Sequence, residues 1–404
     1  MTETPSICEF CAADNELRIE LRERGTVIGI CAVCRRAGGR ALPADDRRLK
    51  RIVRALIRLN FSEWEYNTHL GGESLQGSLF HSRALFCFDS NASGDEFERV
   101  FLSIEDPWYP DSAEDISLGG GYWDGCYLEG VRDRRSSSVE AAVSNSLTQN
   151  WFDVEPTVRA LIDSIRPDIS TLVSRGAEYY RARVGVQERL KRRQIDPLAK
   201  TAFHYRPYSG SHISRPPVSQ ASEGRFNRSR VALLYLASDA ETAVAELRPH
   251  PGHLVSIAKF RIERDLQIAD FTRTDIRNFL SDERLEVLRT ILSIAEVLNV
   301  PVQPEQRQLY SVTQLFCDAI RAEGFDGVSY RSTIGDGRNL TIFPSDAVGF
   351  VADSEAAVEV VSLRYELGEI PVAPMDADPK KFERDEDSPL ATLLHVLRRK
   401  ARAP

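Results

Sequence analysis

Two cysteine pairs near the start of the chain constrain its fold more than any other feature. Cys8 and Cys11 form the first pair, Cys31 and Cys34 form the second, and 19 residues separate them. This spacing is typical of a zinc site in which each pair holds one edge of a tetrahedron. We therefore expect structural zinc here, with redox dithiols or free thiols as the alternatives. Four thiolates close the coordination shell, so we do not expect the metal to be catalytic.

The segment between the two pairs is expected to bring them together. Leu17–Ile30 alternates between apolar and polar residues and has a turn signal at Arg24-Gly25, which predicts a hairpin. Residues 1–40 are therefore expected to form a zinc ribbon that is too small to hold its fold without the metal.

Length, charge and cysteine content limit the class of protein. A chain of 404 residues, 42% of them apolar, can bury two or three separate cores. Its net charge of −8 disfavours general attraction to nucleic acid. Seven cysteines are too few for a disulfide framework in a chain of this length. Because the sequence shows neither a signal peptide nor a membrane-spanning apolar run, we expect a cytoplasmic protein without a membrane partner.

One amphipathic helix carries a local positive charge. Asp45–Leu59 places Leu49, Ile52 and Leu56 at helical spacing, and the two aspartates at its start suit the helix dipole. Its other face carries six cations: Arg47, Arg48, Lys50, Arg51, Arg54 and Arg58. This face is interpreted either as solvated or as a contact for nucleic acid or an acidic partner.

A glycine turn, a strand and a short helix follow one another in Gly224–Pro249. The apolar run Val231–Ala237 predicts a buried strand. Ser238 is expected to cap the following helix, with Glu241 completing a capping box. Glu246 then lies on the flank of that helix, a position where a lone carboxylate is most often solvated.

Three further motifs change the interpretation of that carboxylate. Tyr179–Arg183 reads YYRAR, Gly224–Asn227 reads GRFN, and Gly327–Ser332 reads GVSYRS, with Asn339–Phe343 close behind it. Together with Glu246 these motifs resemble the RES domain, which is named for an arginine, a glutamate and a serine in this order. The resemblance runs from about Tyr179 to about Glu355.

The resemblance implies a fold similar to ADP-ribosyltransferases and, as in the family's toxins, degradation of NAD. It implies that Arg181, Glu246 and Ser332 are the family's arginine, glutamate and serine. Tyr235 matches a tyrosine that lines the family's NAD pocket. The residues expected to bind NAD are Arg181, Arg225, Asn227, Tyr235, Glu246, Ser332 and Asn339.

Cleavage of the nicotinamide–ribose bond suits a single carboxylate. The leaving group is already cationic and departs neutral, so no general acid is required, unlike ordinary glycoside hydrolysis. Glu246 would stabilise the oxocarbenium-like ribose. An arginine fork matches the diphosphate, which favours Arg181 and then Arg225. Ser332 is expected to orient the substrate and not to act as a nucleophile, because no histidine accompanies it in the motif.

The predicted protein is a multidomain α+β chain of four parts. Residues 1–40 form the ribbon and residues 41–168 a mainly helical unit, since N-terminal units of some RES proteins resemble HEPN-type domains. Residues 169–375 form the RES domain, and residues 376–404 a charged tail with a short basic helix. An RNase role is not expected, because residues 40–165 lack an arginine followed four to six residues later by histidine.

The leading hypothesis is a toxin or defence enzyme, a glycohydrolase or phosphorylase that cleaves NAD with water or inorganic phosphate as acceptor. Its protein partner would be an antitoxin or a sensor. One alternative is an ADP-ribosyltransferase that modifies a macromolecule. The other is a zinc protein that binds a nucleotide and recruits partners without catalysis.

Overall fold

A computed structural model describes a large part of the chain. The described residues are 4–61, 63–65, 73–74, 79, 85–87, 94–105, 116–118, 130–132, 134–192, 203–300, 302, 309–364, 367–368 and 372. Contacts between Cα atoms divide the chain into two compact units. The first comprises Met1–Ser136 with Thr274–Leu292, and the second comprises Ser137–Arg273 with Ser293–Pro404. The predicted division into four parts stays a prediction, and the helix predicted in the tail lies outside the described residues.

The cysteine-rich start of the first unit is a small sheet with a helix. Strands β1 (Ser6–Cys8), β2 (Thr26–Val27) and β3 (Arg40–Pro43) form an antiparallel sheet in the order β1-β3-β2. Helix α1 (Asn15–Arg24) lies between β1 and β2 in the chain. A 3₁₀ turn, Glu9–Cys11, joins the first cysteine pair.

The hairpin predicted over Leu17–Ile30 is therefore wrong. Asp14 caps helix α1, because its carboxylate accepts hydrogen bonds from the backbone N–H groups of Glu16 and Leu17. The buried residues Leu17, Glu20 and Leu21 share one helical face. Glu, Leu and Arg favour helices, and this preference outweighs the alternation of the apolar residues.

The amphipathic helix predicted in the first unit is confirmed. Helix α2 (Arg47–Asn60) buries its apolar face and is capped by Asp46, which accepts from the backbone N–H groups of Arg48 and Leu49. The region predicted to be mainly helical also contains a described three-stranded sheet in the order β4-β6-β5. The strands of this sheet are β4 (Glu63–Glu65), β5 (Glu73–Ser74) and β6 (Ile116–Leu118). Helix α3 (Gly94–Glu105) precedes β6 in the chain.

The second unit begins with helices α4 (Ser137–Thr148) and α5 (Trp151–Ile169) and is built on a nine-stranded sheet. Its strand order is β16-β12-β8-β11-β15-β14-β13-β7, with β17 also paired to β12. Only β13 and β14 are parallel among these pairs of the described residues. The strands are β7 (Ser170–Val173), β8 (Glu178–Val184), β11 (Leu234–Ala237), β12 (Leu254–Ile262), β13 (Leu266–Asp270), β14 (Gly327–Arg331), β15 (Arg338–Ile342), β16 (Val348–Phe350) and β17 (Ala356–Glu359).

Apart from short 3₁₀ turns, the remaining elements of the described residues are a hairpin and three α-helices. The hairpin pairs β9 (Glu188–Lys191) with β10 (Phe203–Arg206). The helices are α6 (Ala240–Ala245), α7 (Asp282–Leu298) and α8 (Tyr310–Ala322). The residues of α7 up to Leu292 belong to the first unit. Leu234, Leu236, Phe260 and Leu340 are buried in the core beside the central strands. Among the described residues, no helix combines the length and apolar character needed to cross a membrane.

The strand and helix predicted in Gly224–Pro249 are present with different ends. Strand β11 begins at Leu234, three residues later than predicted. The predicted capping box is wrong, because Asp239 is the N-cap of α6 and its carboxylate accepts from the backbone N–H of Thr242 at 2.7 Å. Ser238 instead donates its hydroxyl proton to Asp239 at 2.7 Å. An aspartate at the first extended position before the helix therefore takes the capping role.

Candidate functional site

Three residues from separate parts of the second unit meet at one carboxylate oxygen. Glu246 directly follows helix α6, and its Oε1 accepts a hydrogen bond from the Ser332 hydroxyl at 2.6 Å. The same oxygen accepts from Asn339 Nδ2 at 2.7 Å. Among the described residues no donor is found on Oε2. The carboxylate is thus oriented by two neutral donors and keeps an oxygen for a ligand.

Sheet register brings these three residues together. Asn339 lies on β15, opposite Ala237 of β11 on one side and Tyr330 of β14 on the other. Ser332 directly follows β14, and its hydroxyl oxygen accepts from the backbone N–H of Gly335 at 2.9 Å. The hydroxyl is therefore held by the turn that joins β14 to β15, while it donates to Glu246.

The carboxylate borders a cavity of about 440 Å³ in the second unit. Ligand pockets for small molecules have volumes of this order. Among the described lining residues there are three arginines and one glutamate, so cations outnumber anions in this lining. The lining residues that carry polar groups or rings are Tyr180, Arg181, Arg225, Tyr235, Glu246, Arg248, Tyr310, Tyr330 and Asn339.

Arg181 supplies a half-buried cation to this cavity. Its Nε donates to the carbonyl of Ile213 at 2.7 Å, and its Nη1 donates to the carbonyl of Tyr235 at 2.9 Å. Burial lowers the pKa of Arg181 to about 10, so the guanidinium stays charged at neutral pH. No described carboxylate is hydrogen-bonded to it. A half-buried cation held only by carbonyl groups favours an anionic ligand.

Arg225 reaches the cavity from the loop before β11. Its Nη1 donates to the carbonyls of Leu298 at 3.0 Å and Val300 at 2.8 Å. The loop itself is held by Gln314, a buried residue of α8, which donates to the carbonyl of Gly224 at 2.8 Å. This cation is therefore fixed by backbone contacts, as Arg181 is.

Tyr235 lines the cavity, but its hydroxyl is used inside the protein. It donates to Asn227 Oδ1 at 2.7 Å and accepts from the backbone N–H of Phe226 at 3.2 Å. Burial raises the pKa of Tyr235 far above its ordinary value, so the phenol stays neutral. The tyrosine can therefore offer its ring to a ligand while its hydroxyl is fixed.

Two predicted site residues do not line this cavity as the described residues define it. Asn227 is buried, and its amide nitrogen donates to the carbonyl of Ser222 at 2.7 Å. Its Oδ1 accepts from the hydroxyl of Tyr235, so Asn227 supports Tyr235 from inside the protein. Ser332 lines a neighbouring cavity of about 570 Å³ and reaches the first one only through Glu246. Tyr310 and Tyr330 line the first cavity and were not predicted. Tyr330 stands inside the GVSYRS motif, but the motif alone assigns it no role.

The four cysteines of the first unit form a buried cluster. Their Sγ atoms all lie within 4.8 Å of one another, and neighbouring sulfurs are 3.5–3.7 Å apart. Zinc–sulfur bonds of about 2.3 Å in a tetrahedron place the sulfurs about 3.8 Å apart. The cluster could therefore hold one metal ion.

Residues 189–366 match the family model of the RES domain. The match contains Arg225, Glu246, Ser332 and Asn339, whereas β8 with Arg181 precedes it. No curated protein matches the chain.

Among solved structures, the chain is similar to one from the crystal structure of the M. tuberculosis MbcT-MbcA toxin-antitoxin complex. The two are 13% identical, with 50% of this chain and 92% of that chain covered and a TM-score of 0.26.

Proposed function

We propose that the second unit binds NAD in the 440 Å³ cavity and cleaves its nicotinamide–ribose bond. The observation that carries the proposal is the carboxylate of Glu246, held at the cavity by Ser332 and Asn339 within the RES match. Water or inorganic phosphate is the acceptor, and growth inhibition or defence is the biological role that the RES resemblance implies.

The positive charge of the cavity supports a diphosphate ligand. Arg181 and Arg225 are each held by two backbone carbonyls, so their positions are set before a ligand arrives. Preorganised guanidinium groups bind phosphate oxygens at a smaller entropic cost than flexible ones do. The rings of Tyr235, Tyr310 and Tyr330 offer flat apolar surface for nicotinamide or adenine.

Glu246 supplies the chemistry. In the ground state its Oε2 would accept a hydrogen bond from a ribose hydroxyl. As the bond to nicotinamide breaks, the ribose becomes cationic and the fixed negative charge stabilises it. Ser332 and Asn339 act by holding the carboxylate in place, and neither contributes a proton to the departing nicotinamide.

Zinc in the four-cysteine cluster would have a different role. Its ligands belong to the first unit and all cavity residues belong to the second, so we propose that the metal stabilises the fold of its own region. An antitoxin or sensor partner remains part of the proposal through the RES resemblance.

The experiment is a product analysis. The purified full-length protein is incubated with NAD, with and without inorganic phosphate, and the products are resolved by mass spectrometry. Free nicotinamide with ADP-ribose indicates hydrolysis, and a phosphorylated ADP-ribose that depends on added phosphate indicates phosphorolysis. ADP-ribose attached to protein or nucleic acid would replace the proposal by transfer to a macromolecule. NAD binding without release of nicotinamide would replace it by a binding role.

A further inference from the structure

The basic face of helix α2 forms one wall of a second cavity, which lies wholly within the first unit. This cavity has a volume of about 680 Å³. Its other wall is formed by residues 280–283 and Leu285, at and before the start of α7. Arg58 contacts Asp282 across the cavity. The basic face therefore borders a concave cavity, unlike an ordinary solvated helix surface.

Five of the six cations predicted on this face line the cavity: Arg47, Lys50, Arg51, Arg54 and Arg58. The sixth, Arg48, instead donates from Nε to Glu20 at 2.8 Å. Among the described residues three carboxylates, those of Asp45, Asp282 and Glu283, also line the cavity, so the cations outnumber the anions in this described lining. The whole chain carries −8, so this local charge opposes the overall one.

The helix presents its cations in a fixed arrangement. Its opposite face is buried through Leu49, Ile52 and Leu56, so α2 cannot turn about its axis. Lys50 is only 7% exposed and already has a partner within the protein, so the cations that an anion in the cavity would meet first are the exposed guanidinium groups of Arg47 and Arg51. From Arg47 to Arg58 the stripe extends about 16 Å along the helix, which is the scale of a nucleotide and not of a long polymer.

The wall formed by residues 280–283 and Leu285 carries apolar and acidic side chains, so it restricts which anions can bind. Leu280 and the buried Leu285 offer apolar contact, whereas Asp282 and Glu283 would repel phosphates that continued across the cavity. A ligand with linked phosphates at one end and a ring at the other fits both walls. We infer that this cavity binds a nucleoside polyphosphate, with its phosphates on α2 and its base beside Leu280. This site is separate from the proposed NAD cavity of the second unit.

The test uses isothermal titration of the full-length, metal-loaded protein with ATP and with inorganic tripolyphosphate. Arg47→Gln with Arg51→Gln removes two exposed cations of the cavity. Arg175→Gln with Lys191→Gln removes two exposed cations elsewhere and is the matched control. We expect the first pair to weaken ATP binding about tenfold or more and the control pair less than twofold. Tripolyphosphate should bind more weakly than ATP, because it lacks the base.

Four outcomes would overturn the inference. The first would be that the wild-type protein binds no ATP at millimolar concentration. The second would be that the control pair of substitutions weakens ATP binding as much as the cavity pair does. The third would be that ATP binding falls with Arg225→Gln and not with the cavity pair, which would place the ligand in the 440 Å³ cavity of the second unit. The fourth would be that a single-stranded RNA oligonucleotide binds more tightly than ATP and that the cavity pair weakens its binding, which would make α2 a nucleic-acid surface. Unchanged thermal melting of each variant shows that the fold is retained.

Discussion

Replacing Glu246 by glutamine tests the proposed chemistry most directly. The two donors on Oε1, Ser332 at 2.6 Å and Asn339 at 2.7 Å, can both donate to the carbonyl oxygen of a glutamine side chain. The volume and the hydrogen-bond geometry are therefore kept while the negative charge is removed. The variant separates the electrostatic role of Glu246 from its structural one.

The expected magnitude follows from the charge that is lost. Unit charges about 4 Å apart at an effective dielectric constant of about 20 interact by about 4 kcal/mol. The ribose carries only part of a charge in the transition state, and the amide dipole retains some attraction. A loss of about 3 kcal/mol remains, which lowers turnover roughly 100-fold.

Two measurements check this expectation. Nicotinamide release gives the turnover number, and isothermal titration gives the affinity for NAD, which should stay within about threefold of wild type. Glu241→Gln is the matched control, because Glu241 is an exposed glutamate of the same helix and should leave both quantities unchanged. Turnover of Glu246→Gln at the wild-type rate would refute the role of Glu246. Parallel loss of binding and turnover would show that Glu246 acts mainly by binding the ground-state ribose and not by stabilising the transition state.

Three further predictions address the rest of the chain. Arg181→Lys keeps the charge but not the fork that serves two carbonyls, so NAD binding should weaken about tenfold or more by titration, whereas Arg183→Lys on the same strand should not. Elemental analysis should find about one zinc per chain, and mild chelation should lower the melting temperature while nicotinamide release stays within about twofold, since the cavity lies in the other unit. Burial, aided by Asp275, raises the pKa of Glu16 to about 7, above its unfolded value of about 4.5. Ionisation of Glu16 is therefore less favourable in the folded state, and the free energy of unfolding falls as the pH rises from about 4.5 to about 7. Glu16→Gln should raise the free energy of unfolding above pH 7 and change it little below pH 4.5, as measured by denaturant titration.

Features set by neighbouring residues could be predicted from the sequence. The two cysteine pairs form a cluster, because the spacing within each pair already places two sulfurs on one side of a metal site. Helix α2 follows its apolar periodicity, and strand β11 with helix α6 follows the glycine turn as expected. The residues matched to the RES domain contain the predicted glutamate and serine.

Local signals failed where two patterns competed. In α1, alternating apolar residues suggested a hairpin, but helix propensity and the Asp14 cap prevailed. At α6, serine and aspartate are both good caps, and the extended backbone at Asp239 gave that residue the role. In α1 the composition of the segment and its cap decided between helix and hairpin, whereas at α6 the backbone of one residue decided between two caps of the same helix.

The site itself depends on contacts between distant residues. Glu246 meets Ser332 across 86 positions and Asn339 across 93, because β11, β15 and β14 lie side by side in one register. The sequence by itself determined which residue types are present and which local elements they form. Only the tertiary structure decided that Asn227 supports Tyr235, that Tyr330 lines the cavity, and that the basic face of α2 borders a concave cavity. Side chains far apart in sequence meet only when strand register and helix packing place them together, and no local pattern encodes that register.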